Sequence, residues 1–197
     1  MNYTRMSKTD VLELLKSNLD EKRYNHSIGT AECAASLAQK FNLNVQKCYE
    51  TGLLHDCAKC YDNEQMLYIM KNYTDADEEE LKNPKTWHAP VSAYVAERDY
   101  KITDEEILTA IRWHTLGRLD MTDFDKVVFL ADKIENRTRK KKYIESVKEV
   151  LDESNGLNKA VLICYKETIK SLVERNLRIC PLTIDIYNKL QETINVK

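Results

Sequence analysis

Glycine and proline are scarce in this chain of 197 residues, which holds four of the first and three of the second. With so few breakers and no run of alternating apolar and polar residues, hairpins and strands have little support. No apolar stretch approaches the roughly 20 residues of a membrane-spanning helix, and the opening MNYTRMSKTD lacks the apolar core of a signal peptide. The expectation is a cytoplasmic protein with no membrane contact. A charge excess is missing too. Thirty basic and thirty-two acidic side chains leave a net charge of −2, so no global field draws the chain to nucleic acid, and an anionic ligand must be met locally. Six cysteines stand at 33, 48, 57, 60, 164 and 180, and only Cys57 and Cys60 form a C-x-x-C. The second pair of a zinc ribbon and the βαβ surroundings of a thioredoxin-like site are both absent. All six are expected to stay reduced, mostly as small buried side chains.

What is present is helical periodicity. Val11, Leu12, Leu15 and Leu19 mark a first amphipathic helix started by Ser7 or Asp10. A second runs from about His26 through Ile28, Ala31 and Ala34 to Phe41. Asn44 caps a third, which carries Gly52, His55 and Asp56. Asp62 with Gln65, Thr103 with Glu106, and Thr122 with Asp125 are capping-box patterns for three more, the last two ending near His114 and Asn136. Pro90 fits the first turn of another. Segments 143–151, 158–177 and 182–190 complete the set. These patterns predict an all-α fold, one domain over residues 1–197. The charge runs DADEEE (75–80) and RTRKKK (137–142) are read as solvated faces or loops, the basic one also as a candidate wall of a phosphate site.

Histidine is as scarce as glycine, yet none of the four is left outside a motif. His26, the His55-Asp56 doublet, His88 and His114 stand with Asp132 in short segments that also hold three of the four glycines, in HSIG, GLLHD and HTLG. Imidazole and carboxylate bind first-row divalent cations, and six such donors suffice for two ions. On a helix, Gly52, His55, Asp56 and Lys59 share one face, so two ligands and a cation are presented together. Gly52 leaves room there for a metal, a water or another helix. His26 and His88 are expected at helix starts and His114 at a helix finish. Asp132 interrupts an apolar stripe, where an unpaired carboxylate is costly and a cation would compensate. Two ions roughly 3.5–4 Å apart can share and acidify a water, so the pattern predicts a two-metal hydrolase. Trp113 and the tyrosines are candidates for stacking on a base, with core packing as the competing role.

His26, GLLHDCAK, His88, HTLG and ADKIE, in that order, resemble the HD-domain phosphohydrolases. RYNHS, the further histidines 88 and 114, and the tail ETIKSLVERNLRICPLTIDIYN are similar to the YqeK-type symmetrical diadenosine tetraphosphatases within them. The resemblance implies a helical bundle with a di-metal site between helices and cleavage of diadenosine tetraphosphate to two ADP by a metal-bound hydroxide. It also implies one ion on His26, His55, Asp56 and Asp132, and a second on His88 and His114, with Asp56 bridging. The implied metal is iron, with manganese or another first-row ion compatible. Asp56 and Lys59 are implied as catalytic. Arg23, His26, Lys59, His88, His114, Thr115 and Arg137 are implied at the substrate. One departure is visible: Asn136 stands where the family usually has proline, which makes Arg139 an alternative to Arg137. A small-molecule nucleotide is the expected partner, and a homodimer is allowed for. Three other readings stay open: another HD-domain phosphohydrolase acting on nucleotides, a catalytically silent nucleotide-binding regulator, and a di-iron oxygenase. No GYP element follows the doublet to favour cyclic dinucleotides.

Overall fold

Side-chain caps set most of the helix starts. In the computed structural model, which describes residues 1–139 and 141–195, Ser7 accepts from the Asp10 N–H and opens α1 (Lys8–Asn18). Asp20 accepts from the Arg23 N–H at 2.7 Å and opens α2 (Glu21–Lys40). This helix thus begins before the His26 start expected above, and His26 lies in its second turn. The first turn, EKRYN, is polar and carries no apolar periodicity to reveal it. Asn44 caps α3 (Val45–Leu54). Asp62 and Gln65 make the expected capping box of α4 (Asn63–Tyr73), and Thr122 and Asp125 that of α8 (Asp123–Ile134). Between these lie α5 (Glu78–Leu81), α6 (His88–Arg98) and α7 (Glu105–Trp113). The cap of α7 is Asp104 rather than Thr103, because the Asp104 carboxylate reaches both the Glu106 and Ile107 N–H groups. The C-terminal part holds α9 (Lys141–Lys148), α10 (Gly156–Glu174) and α11 (Pro181–Asn195).

α2 is flanked by α3 and α8, α7 meets α3, α6 and α8, and α10 packs on α8 and α11. Ala31, Leu53, Val91, Ile107, Ile111 and Val128 are fully buried where these helices meet. Gly52 is what brings α3 so close to α2: a Cβ there would lie 2.9 Å from the Thr30 carbonyl oxygen. Of the three occupants suggested for that space, another helix fills it. Among the described residues the only extended pairing is an isolated bridge between Thr4 and Ile102. No helix there is long and apolar enough to cross a membrane.

The acidic run is the solvated face expected of it at Asp75, Asp77 and Glu78, which are exposed, but not at its end. Asp77 caps α5, and Glu80 is buried in a bidentate pair with Arg112, both contacts 2.7 Å. The basic run divides. Arg137 and Arg139 point to different partners, and Lys140 lies outside the described residues. Cys57 is buried and Cys60 exposed, both as free thiols.

Candidate metal centre

Five helices deliver the six predicted donors to one buried cluster. His26 comes from α2 and Asp132 from α8. His55 and Asp56 follow α3, His88 is the first residue of α6, and His114 caps the end of α7. Each of the six side chains is nearly or fully buried. α3 stops at Leu54, short of the doublet that the sequence places on it. Beyond it the chain tightens into i→i+3 turns, with Cys57 N–H donating to the Leu54 oxygen and Lys59 N–H to the Asp56 oxygen. His55, Asp56 and Lys59 therefore share the cluster through turns, not through one continuous α-helical face.

The imidazoles are oriented by their remote nitrogens. His55 Nδ1 donates to the Gly52 carbonyl at 2.7 Å, and His114 Nδ1 to the Ile111 carbonyl at 2.8 Å. In the neutral imidazole this leaves the free lone pair of each ring on Nε2, aimed into the cluster. His26 lies between two carboxylates, with Nε2 2.9 Å from Asp132 Oδ1 and Nδ1 3.1 Å from Glu135 Oε1. Asp56 faces two ways. Its Oδ2 is 3.7 Å from His55 Nε2 and 4.0 Å from His26 Nε2, and its Oδ1 is 3.4 Å from both His88 Nε2 and His114 Nε2.

Among the described residues, two sets of donor atoms are compact enough for an ion: His26, His55 and Asp132, and His55, Asp56 and His114. The donor chemistry fits a divalent cation, and so does a deficit of partners. His55 Nε2 and Asp56 Oδ1 are both buried without a hydrogen bond, a cost that native interiors seldom carry unless something else contacts the atom.

Charge follows from this crowding. Burial would raise the Asp56 carboxyl, but His55, His114, His88 and Lys59 outweigh it and hold the group well below the usual carboxylate range. Asp132 is held down likewise against its burial, by Lys133, His26 and His55. Burial pushes His88 well down and His114 down, keeping both neutral as ligands require. His55 is raised, because the Asp56 and Asp132 carboxylates overcome its burial. Burial also lowers Lys59.

Cations surround the donors. Lys59 Nζ donates to His88 Nε2 at 2.7 Å and is 3.7 Å from Asp56 Oδ1, and Arg23 Nη1 is 3.6 Å from Asp56 Oδ2. Thr115 Oγ1 is 2.9 Å from His88 Nε2 and 3.0 Å from His114 Nε2. Of the two arginine candidates, Arg139 is the one brought in, donating to Asp132 Oδ1 at 2.7 Å. Arg137 turns away and forms a two-point pair with Glu32. Trp113 is covered by the Arg112 guanidinium, 4.2 Å from its ring centroid, and touches none of the six donors through a hydrogen bond.

Glu135 and Lys133 belong to the site without having been singled out. Lys133 pairs with Asp132. Glu135 is fully buried and accepts from the Arg137 and Thr138 N–H groups while facing His26. Its signal was available in ADKIE: it lies three residues after Asp132, one helical turn along the same face. Gly29 makes its space, since a Cβ there would lie 2.5 Å from Glu135 Oε2.

The chain is similar to known proteins over most of its length. Residues 23–137 match the HD domain family. Over 185 residues the sequence is 35% identical to the symmetrical bis(5'-nucleosyl)-tetraphosphatase of Bacillus subtilis, covering 94% of this chain and 98% of that protein. The protein of the same name from Staphylococcus aureus is 34% identical, over 89% of this chain and 90% of its own. A crystal structure from Clostridium acetobutylicum, described as a predicted HD superfamily hydrolase involved in NAD metabolism, superposes with a TM-score of 0.89. It is 33% identical and covers 95% of this chain and 98% of that one. With its donor cluster inside the matched segment and its likeness running nearly end to end, the chain belongs to the HD domain family, alongside the symmetrical bis(5'-nucleosyl)-tetraphosphatases.

Proposed function

We propose that this chain hydrolyses diadenosine tetraphosphate symmetrically, releasing two ADP, with two divalent ions as cofactors. The observation that carries this reading is the two-way Asp56 carboxylate, with Oδ2 toward His26 and His55 and Oδ1 toward His88 and His114. It is supported by likeness to proteins named as symmetrical tetraphosphatases. His26, His55, Asp56 and Asp132 would hold one ion, and His88, His114 and the bridging Asp56 the other. Mixed imidazole and carboxylate donors suit iron, our assignment, and manganese by the same chemistry. When bound, such a pair supplies Lewis acidity, acidifying a water and drawing charge from phosphate oxygens.

The chain's own groups do the rest. Asp56, held ionised, and Lys59 are the catalytic side chains, Lys59 setting an ammonium beside the reacting phosphate. Arg23 and Arg139 meet further phosphate oxygens, Arg139 taking the place first given to Arg137, and the planar guanidinium suits two-point contact. Thr115 offers a hydroxyl at the opposite end of the donor row. Burial of the donors excludes bulk water and strengthens each of these interactions. We assign this chemistry to one HD domain formed by residues 1–197, working in the cytoplasm.

The test is product analysis in heavy-oxygen water with metal-loaded protein. Diadenosine tetraphosphate should yield two ADP, with one heavy oxygen on the terminal phosphate of one of them. AMP plus ATP would indicate another HD-domain phosphohydrolase. Tight nucleotide binding without cleavage would indicate a silent regulator.

A further inference from the structure

The acidic run 75–80 takes no part in the metal chemistry above, yet its last residue reaches the cluster from outside. Glu80 lies on α5, a helix of four residues. One turn is far below the roughly 12–15 residues at which an isolated helix becomes marginally stable in water, so tertiary contacts must hold α5 in place. Chief among these is the Glu80 carboxylate, which accepts from Arg112 Nη1 and Nη2 at 2.7 Å each. Arg112 stands in the last turn of α7, two residues before His114. Its Nε donates to Asp75 at 3.0 Å, so the plane of the guanidinium is fixed from two sides. That plane covers the ring of Trp113, 4.2 Å from its centroid. The residue before His114 is thereby pinned.

A second link leaves Glu80 from its backbone. Its carbonyl oxygen accepts from Trp87 Nε1 at 3.0 Å, in a buried bond. Trp87 precedes α6 without making a side-chain cap, and His88 follows it as the first helical residue. The direction in which His88 leaves the backbone therefore depends on what holds Trp87.

His88 needs such support more than the other imidazoles do. His26, His55 and His114 are each oriented through Nδ1, by Glu135, the Gly52 carbonyl and the Ile111 carbonyl. Among the described residues, the hydrogen bonds of His88, with Lys59 and Thr115, both fall on Nε2, the nitrogen 3.4 Å from Asp56 Oδ1. No remote bond among them turns its ring. The links through Glu80 also stay on one side of the centre. They join α5, α6 and α7, whereas His26, His55 and Asp132 come from α2, the end of α3 and α8.

We propose that Glu80 is the positioning residue of the second ion: its carboxylate holds the end of α7 that carries His114, and its carbonyl holds the start of α6 that carries His88. One glutamate thus sets the spacing of two imidazoles whose centroids are 5.2 Å apart. This rests on the two-ion reading above and adds that the two halves of the centre are supported separately.

The test withdraws manganese(II) from the manganese-loaded chain with increasing chelator. Bound ions are counted by elemental analysis after gel filtration, and paired ions are recognised by their exchange-coupled electron paramagnetic resonance signal. Wild type should hold two coupled ions. Glu80→Gln keeps an acceptor for the Asp77 N–H, since glutamine serves in a capping box as glutamate does, and removes the charge and one of the two acceptors facing Arg112. It should bind the second ion about 10-fold more weakly, the coupled signal giving way to that of an isolated ion, and hold the first as wild type does. Trp87→Phe removes the indole donor but keeps an aromatic ring, and should weaken the same ion alone. A pair that only stabilised the fold would lower the urea midpoint and move neither ion. Equal release curves for wild type and folded Glu80→Gln would therefore overturn the proposal, as would equal weakening of both ions. Should Glu80→Gln not fold, Trp87→Phe decides by the same measurement. Wild type that never shows a coupled pair would sink the two-ion reading and this proposal with it, whereas a coupled pair in wild type with unchanged variants would sink the assignment of Glu80 alone.

Discussion

Replacing Gly52 with alanine tests whether the α2–α3 contact sets the donor geometry. The added methyl would sit 2.9 Å from the Thr30 carbonyl oxygen, 3.0 Å from Ala31 Cα and 3.1 Å from Ala31 N. All three neighbours are α2 backbone, so no rotamer change relieves the contact, and the helices must part by roughly half an ångström to restore ordinary packing. Overfilling a packed core costs about 1–3 kcal/mol. Opposing it, alanine is better than glycine inside a helix by about 1 kcal/mol. The contact should prevail, since none of the neighbouring atoms can rotate away, leaving a net loss of up to about 2 kcal/mol. With chelator present, this lowers the urea midpoint by up to about 1 M at a slope near 2 kcal/mol per M. The same parting moves His26, on α2, away from His55 and Asp56, which follow α3. Metal affinity should therefore fall by about 10-fold beyond the stability loss, as expected when ligand support is displaced by about half an ångström. Urea melts give the first quantity and competition with a chromogenic chelator the second. If Gly52→Ala melts at or above the wild-type midpoint in chelator, helix propensity has won and the tight approach is not what positions the donors.

Three further substitutions separate the remaining roles. Asp56→Ala should lose most of both ions while His88→Ala mainly depletes one, a difference that elemental analysis of metal-loaded protein resolves; equal losses would contradict the bridging role. Glu135→Gln removes the charge facing His26 Nδ1 at 3.1 Å and should weaken metal binding by about 10–100-fold, read by chelator competition, with little change in helix content. Asp104 is held below the usual carboxylate range, its burial outweighed by hydrogen bonds from Lys47 and the Ile107 N–H. Since a depressed carboxyl stabilises the fold above its unfolded value near pH 4 and loses that effect as pH falls through the folded one, the gap between wild type and Asp104→Asn should be about 0.5–1 kcal/mol at pH 6 and shrink steadily as pH is taken below 4. A constant gap in urea melts would assign the effect to helix capping alone.

Local chemistry explains which parts of the fold could be read from the chain. The boxes at Asp62 with Gln65 and Thr122 with Asp125 close within one turn, so a window of four residues suffices to recognise them. Thr103 and Asp104 are both capping types, and only the backbone's path decides that Asp104 reaches two N–H groups. Glu80 is different in kind. In sequence it is one of six acidic or small residues in a run, and its burial depends on Arg112, 32 positions away, whose two nitrogens it meets at 2.7 Å. No window of local length contains that pair.

The site divides along the same line. Six donors stood out because all four histidines fall in short motifs with Asp56 and Asp132, the last a carboxylate in an apolar stripe, and together they make a donor set suited to divalent cations. Their support was harder to see, because it is supplied by the turns and crossings that follow. Glu135 finds His26 only when α8 ends beside α2, 109 residues apart in sequence. The choice between Arg137 and Arg139 also hangs on how the chain leaves α8. Glu135 is extended, at φ −60° and ψ 148°, and its carboxylate gathers the next N–H groups into a turn. That turn sends Arg137 toward Glu32 and returns Arg139 to Asp132, the residue one would least expect from nearness to the motif. Two residues of backbone path therefore decide which guanidinium meets the Asp132 carboxylate, and the family match, which ends at residue 137, stops just before Arg139, the one that does so.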